Sequence, residues 1–143
     1  MELSLKKKLI LFLFLNGFYF FSYFHRVGIP GTIFNQLQLD FNLTANQVAG
    51  LGTIVFGIYG ILQFFIGPFM DFFGTNRIFV AGGFLLCIGS LLFSVSHSIF
   101  LLYFSRVLVA FGGSVAYLGI VKKTDDLFGP DFFPVMLGIA LFL

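Results

Sequence analysis

Charge is scarce in this sequence: charged residues make up 10% of its 143 positions, against 59% hydrophobic. A chain so poor in charge cannot surround a single core with a water-soluble surface, and its solvent is read as lipid. Cysteine occurs once, as Cys87, which excludes an intrachain disulfide and any cysteine-based metal cluster. Alanine is absent before Ala45. The basic opening at Lys6, Lys7 and Lys8 therefore lacks the small-residue cleavage site of a secretory signal, and the apolar run behind it outlasts signal-peptide length. The alternating pattern of barrel strands is missing. So are a paired acid, a histidine cluster with metal spacing and a nucleophile beside a base, and the sequence suggests no enzyme, no metal site and no cofactor. A net charge of +2 gives no basic surface for nucleic acid.

What is present comes in apolar blocks of roughly 18 to 26 residues, the length at which an α-helix crosses about 30 Å of hydrocarbon. The blocks lie at about 9–34, 47–70, 77–95 and 100–121, and a fifth runs from about 132 to 143. This last block spans roughly 16 Å at 1.5 Å per residue, too little for a crossing. The expectation is an all-α, polytopic transmembrane helix bundle, the N-terminal portion of a longer chain.

Positive residues flanking membrane helices stay on the cytoplasmic side, and the chain has eight Lys and Arg. Lys6, Lys7 and Lys8 precede the first block, Arg77 separates the second from the third, and Lys122 and Lys123 close the fourth. The first and third connections carry no Lys or Arg, which predicts a cytoplasmic N-terminus in a plasma (inner) membrane. In the first outer connection, after Asp40, Thr44 and Gln47 fit a capping box that starts the second helix. Asn42-Leu43-Thr44 also forms a glycosylation sequon, not expected to be used in so short a loop.

The two remaining cations, Arg26 and Arg106, fall within apolar blocks. An arginine there costs at least about 3 kcal/mol, so it normally faces the bundle interior and meets a carboxylate, a substrate or water; the alternative is a structural bond to a carbonyl. Counted from Lys8 and Lys122, both lie roughly 25 Å above the cytoplasmic anchors, at a shared depth. Their surroundings match, Tyr23-Phe24-His25-Arg26-Val27 against Tyr103-Phe104-Ser105-Arg106-Val107, in helices of opposite direction, as in an inverted repeat of three helices. His25, an imidazole beside a guanidinium, is a candidate for proton exchange, with packing as its plainer role. Tyr59 and Gln63, four apart on the second helix, are candidates for lining a cavity. Ala49, Thr53 and Gly57 on the second helix, and Ala110 with Ser114 and Gly112 with Ala116 on the fourth, are read as small-residue packing stripes.

The turn after the second block reads Gly67-Pro68-Phe69-Met70-Asp71-Phe72-Phe73-Gly74-Thr75-Asn76-Arg77. It resembles the signature of the major facilitator superfamily at that inner connection, through the spacing of Gly67, Asp71, Gly74 and Arg77; Phe72 and Asn76 stand where basic residues are usual. Arg106-Val107-Leu108-Val109-Ala110-Phe111-Gly112-Gly113 is similar to the family's second signature, with Ala110 in place of the first glycine. The resemblance implies two six-helix bundles about a central cavity, the second absent from this sequence, and secondary transport by alternating access with a proton as coupling ion. It also implies that Asp71 helps lock an inner gate and that Arg106 belongs to the proton or substrate pathway. An arginine on the first helix is similar to that of members moving organic phosphates or other anions, and two buried cations without an intramembrane acid favour an anionic or carboxylate-bearing small-molecule solute. The rival expectation is a small membrane scaffold or a dimeric exporter subunit that has no second bundle.

Overall fold

The computed structural model describes residues 4–142. Its elements are α1 (Leu5–Gly31), α2 (Phe34–Phe41), α3 (Ala45–Phe73), α4 (Thr75–Ser94) and α5 (Ile99–Phe142), with no strand among the described residues. α1, α3, α4 and α5 are each long and apolar enough to cross a membrane. Large apolar side chains point outward from them, with Phe14, Phe64 and Phe72 at 76%, 82% and 83% exposure. Such a surface suits a hydrocarbon solvent, because helices satisfy their own backbone and leave side chains to meet the lipid or another apolar helix.

Each helix boundary has a local cause. α3 begins at the Thr44 cap, whose hydroxyl accepts from Gln47 N at 3.3 Å while Gln47 Oε1 accepts from Thr44 N at 2.9 Å. Thr44→Ala is expected to remove about 1 kcal/mol from this start, read as earlier loss of ellipticity at 222 nm on heating in detergent. Gly74 separates α3 from α4 at φ 91°, a backbone open to glycine, and its N–H returns to Met70 O at 3.0 Å. α1 breaks at Ile29 (φ −106°, ψ 127°), just before Pro30. The long α5 breaks at Gly129 (φ 71°), also just before a proline, Pro130.

Two features differ from the sequence expectation. Residues 34–41, read as the end of the first span and an outer connection, form the separate helix α2, which stops at Asn42 in the left-handed conformation (φ 51°). Its Leu37 packs with Leu43, Val48, Leu51 and Leu102 in a core cluster. The helix expected to end at 121 instead continues past Lys122 and Lys123 to the break at Gly129.

The packing stripes also need correction for α3. Ala49, Thr53 and Gly57 face outward, and a Cβ on Gly57 would meet nothing within 4 Å. The face that α3 buries is Val48, Leu51, Gly52 and Val55. The stripes on α5 are buried at Ala110, Gly112, Ser114 and Ala116. There α4 and α5 cross in close contact: a Cβ on Gly112 would stand 2.5 Å from Gly82 O and Leu86 N, and one on Gly89 would stand 2.8 Å from Ser105 O.

Candidate functional site

The two intramembrane arginines occupy different environments. Arg106 is fully buried, at 0% exposure. Its Nη1 donates to His25 O at 2.8 Å, Nη2 to Ile29 O at 2.7 Å and more distantly to Arg26 O at 3.5 Å, and Nε to Leu51 O at 3.3 Å. The guanidinium thus ties α5 to the broken C-terminal end of α1 and to α3. Its reach to the Arg26 carbonyl places the two arginines at one level.

Arg26 is half-buried and has no carboxylate partner among the described residues. Its guanidinium carbon lies 4.3 Å from the Tyr59 ring centroid and 5.2 Å from that of Tyr23, both within cation–π range. Tyr19, one turn before Tyr23 on α1, packs near Tyr117 with ring centroids 6.3 Å apart, so four of the chain's five tyrosines lie close to one another here. Arg26 Nε is shielded from solvent yet has no acceptor. This leaves a cation held by aromatic faces, its shielded Nε without an acceptor among the described residues.

His25 and Arg26 are adjacent in sequence but diverge in space, as successive helical residues do at about 100° per residue. His25 turns toward α4, where Ser90 Oγ is 3.4 Å from both ring nitrogens, and borders a groove of about 410 Å³ with Phe18, Phe21 and Cys87. Gln63 is partly buried and donates from Nε2 to Ser114 O at 3.0 Å. With Tyr103 OH to Gln47 O at 2.8 Å and Arg106 to Leu51 O, it forms a series of side-chain ties between α3 and α5.

Lys122 completes that series at the other end. It bonds Gly67 O at 3.4 Å and pairs with Asp71, one turn further along α3. Gly67, expected to permit close helix contact, has open space where a Cβ would stand, and its carbonyl makes the contact instead. Asp71 and Arg77 are exposed, on either side of Gly74. Asn76, Lys123 and Leu11 line one cavity of about 670 Å³ between α1, α4 and α5, so the starts of α1 and α4 share an end of the bundle with both lysines. At the end of an apolar block Lys122 reads in the sequence as a topology residue, and its pairing with Asp71 emerges only because α5 continues past it to Gly129. The sequence does not single out Tyr19, Tyr23 or Tyr117, because in a chain with 24 phenylalanines aromatic residues read as packing.

The structure is thus a polytopic membrane helix bundle in which the intramembrane cation Arg26 is framed by tyrosines and has no carboxylate partner among the described residues. The sequence model of the Major Facilitator Superfamily matches residues 12–142, and the chain belongs to that family of membrane transporters. It is also similar to the riboflavin transporter RibZ of Clostridioides difficile (strain 630), with 30% identity over 102 residues, covering 66% of this chain and 22% of that protein. The chain therefore spans about a fifth of that relative's length. No solved structure matches it significantly.

Proposed function

We propose that this chain contributes the first bundle of a proton-coupled secondary transporter that moves a small organic anion by alternating access. The observation that carries the reading is Arg26: a half-buried cation, stacked on Tyr59, whose Nε lacks an acceptor. An intramembrane charge without a protein counter-ion is expected to meet a solute. In this reading Arg26 binds the acidic group, Tyr59 and Gln63 border the path, His25 exchanges the coupling proton, and Arg106 acts from behind the site. Gly67, Asp71, Gly74 and Arg77 form the inner gate, with Lys122 holding Asp71. The N-terminus lies in the cytoplasm of the plasma membrane, a placement supported by Lys122 and Lys123 at the same end as the starts of α1 and α4. A second bundle completes the cavity.

A second reading is favoured by the four tyrosines and by RibZ: a flat, uncharged heteroaromatic solute such as riboflavin, stacked on the rings. The two separate in one experiment. Proteoliposomes carrying the protein or Arg26→Ala are assayed, with and without an inward proton gradient, against organic anions, phosphates, sugars, small peptides and riboflavin. The expected outcome is gradient-driven uptake of an anion that Arg26→Ala loses almost completely. Anion uptake that survives the substitution removes Arg26 from the solute's path, and riboflavin uptake indifferent to it selects the second reading. An absence of uptake for every solute favours a scaffold.

A further inference from the structure

The break in α1 leaves backbone carbonyls without helical donors. Pro30 has no N–H, so the carbonyl four residues earlier, that of Arg26, loses its partner within the helix. The N–H of Ile33, which a regular helix would direct to Ile29 O, donates to Pro30 O instead, at 3.2 Å. In hydrocarbon each orphaned carbonyl costs on the order of a few kcal/mol, and broken helices occur at membrane depth only where protein satisfies them. Both orphans, Arg26 O and Ile29 O, fall to the same guanidinium, which takes His25 O as well. The same group reaches Leu51 O on α3, and one residue further along, Gly52 lets the Pro30 ring approach: a Cβ there would lie 3.2 Å from Pro30 Cδ. Four carbonyls take up a group with five N–H donors.

We propose that Arg106 is a positioning residue: it pins the broken C-terminal end of α1 to α3 and so holds the Arg26 side chain over Tyr59, without contacting solute or proton itself. The link is direct, since the backbone of Arg26 is among the groups that Arg106 holds. This rests on the reading of Arg26 as the solute's partner, and it replaces the pathway role that the family resemblance implies for Arg106. Arginine is required because its planar fork reaches separated carbonyls at once, whereas a lysine ammonium is a single point of donation.

The test uses the protein in lipid nanodiscs for hydrogen–deuterium exchange and in proteoliposomes for uptake, with Arg106→Lys, Pro30→Ala and the double variant. Arg106→Lys keeps the charge but loses the fork. It is expected to accelerate amide exchange across residues 24–33 and to raise KM roughly tenfold with kcat little changed. Pro30→Ala returns an N–H to Arg26 O, so the double variant is expected to recover most of the lost protection and most of the affinity. A solute or proton ligand could not be rescued from position 30. Unchanged exchange in Arg106→Lys overturns the proposal, as does faster exchange with unchanged KM, or a lost response to the proton gradient with KM intact. Should Arg106→Lys fail to fold, the double variant is expected to fold, and its failure also overturns the proposal. If no solute is transported, the function reading falls while the exchange data still decide whether Arg106 holds the break.

Discussion

Gly112→Val is expected to destabilise the bundle by about 3 kcal/mol, the upper end for a side chain forced into a packed interior. The reason is the identity of the neighbours. A Cβ at position 112 would stand 2.5 Å from Gly82 O and from Leu86 N, and 2.9 Å from Leu86 Cα, all backbone atoms of α4 that no rotamer change can move aside. The two helices must separate, and the loss spreads along a seam that also needs Gly89 against Ser105 O. Membrane helices gain their association from van der Waals contact and interhelical bonds rather than from expulsion of water, so a gap opened there is not offset elsewhere. Gly57→Val is the matched control, the same change in the middle of α3 where a Cβ meets nothing within 4 Å. SDS-driven unfolding in mixed micelles, followed by ellipticity at 222 nm, should show Gly112→Val unfolding at lower SDS and Gly57→Val little changed from the parent. Equal losses for both would mean that the α4–α5 crossing is not the close contact described.

The contrast between Gly57 and Gly112 shows where sequence reading stops. Both stand in small-residue stripes of equal quality, and nothing in the spacing tells which stripe another helix will cover. Local signals carried further. Thr44 and Gln47 announced the start of α3 because a capping box is closed within four residues. Helix α2 is not legible for the opposite reason: its eight residues are a surface segment whose Leu37 is buried by a cluster that draws in Val48, Leu51 and Leu102 from other helices. At the site, the shared level of Arg26 and Arg106 along their helices was legible from the 1.5 Å rise, and the divergence of His25 from Arg26 follows from helical geometry. The environment of each arginine was not. Which cation becomes a backbone clamp depends on where α1 breaks relative to α5, although Pro30 four residues after Arg26 already marked one carbonyl as needing a donor.

Tyr59→Ala is expected to raise the KM for the proposed anionic solute about tenfold, within the range of a partly desolvated cation–π contact, while Tyr59→Phe leaves it close to the parent value. The Tyr59 ring is the nearer of the two aromatic faces on Arg26, 4.3 Å from the guanidinium carbon against 5.2 Å for Tyr23. It also belongs to a different helix, so it holds the arginine in place across the α1–α3 boundary, where Tyr23 rides on α1 itself. Removing the ring frees the side chain to extend along α1 and exposes a cation in an apolar span. Phenylalanine restores the face and omits only the hydroxyl, so the pair of variants isolates the ring from any hydrogen bond of Tyr59. The measurement is the concentration dependence of uptake in proteoliposomes for both variants, together with the residual uptake of Arg26→Ala at high solute concentration, with and without Tyr59→Ala. If Tyr59 acts through Arg26, the double variant Arg26→Ala with Tyr59→Ala loses no more than Arg26→Ala alone, because neighbours that act through one another are not additive. Additive losses would place Tyr59 in independent contact with the solute, and with Tyr19, Tyr23 and Tyr117 beside it that result would favour a ring-stacking solute over an acid.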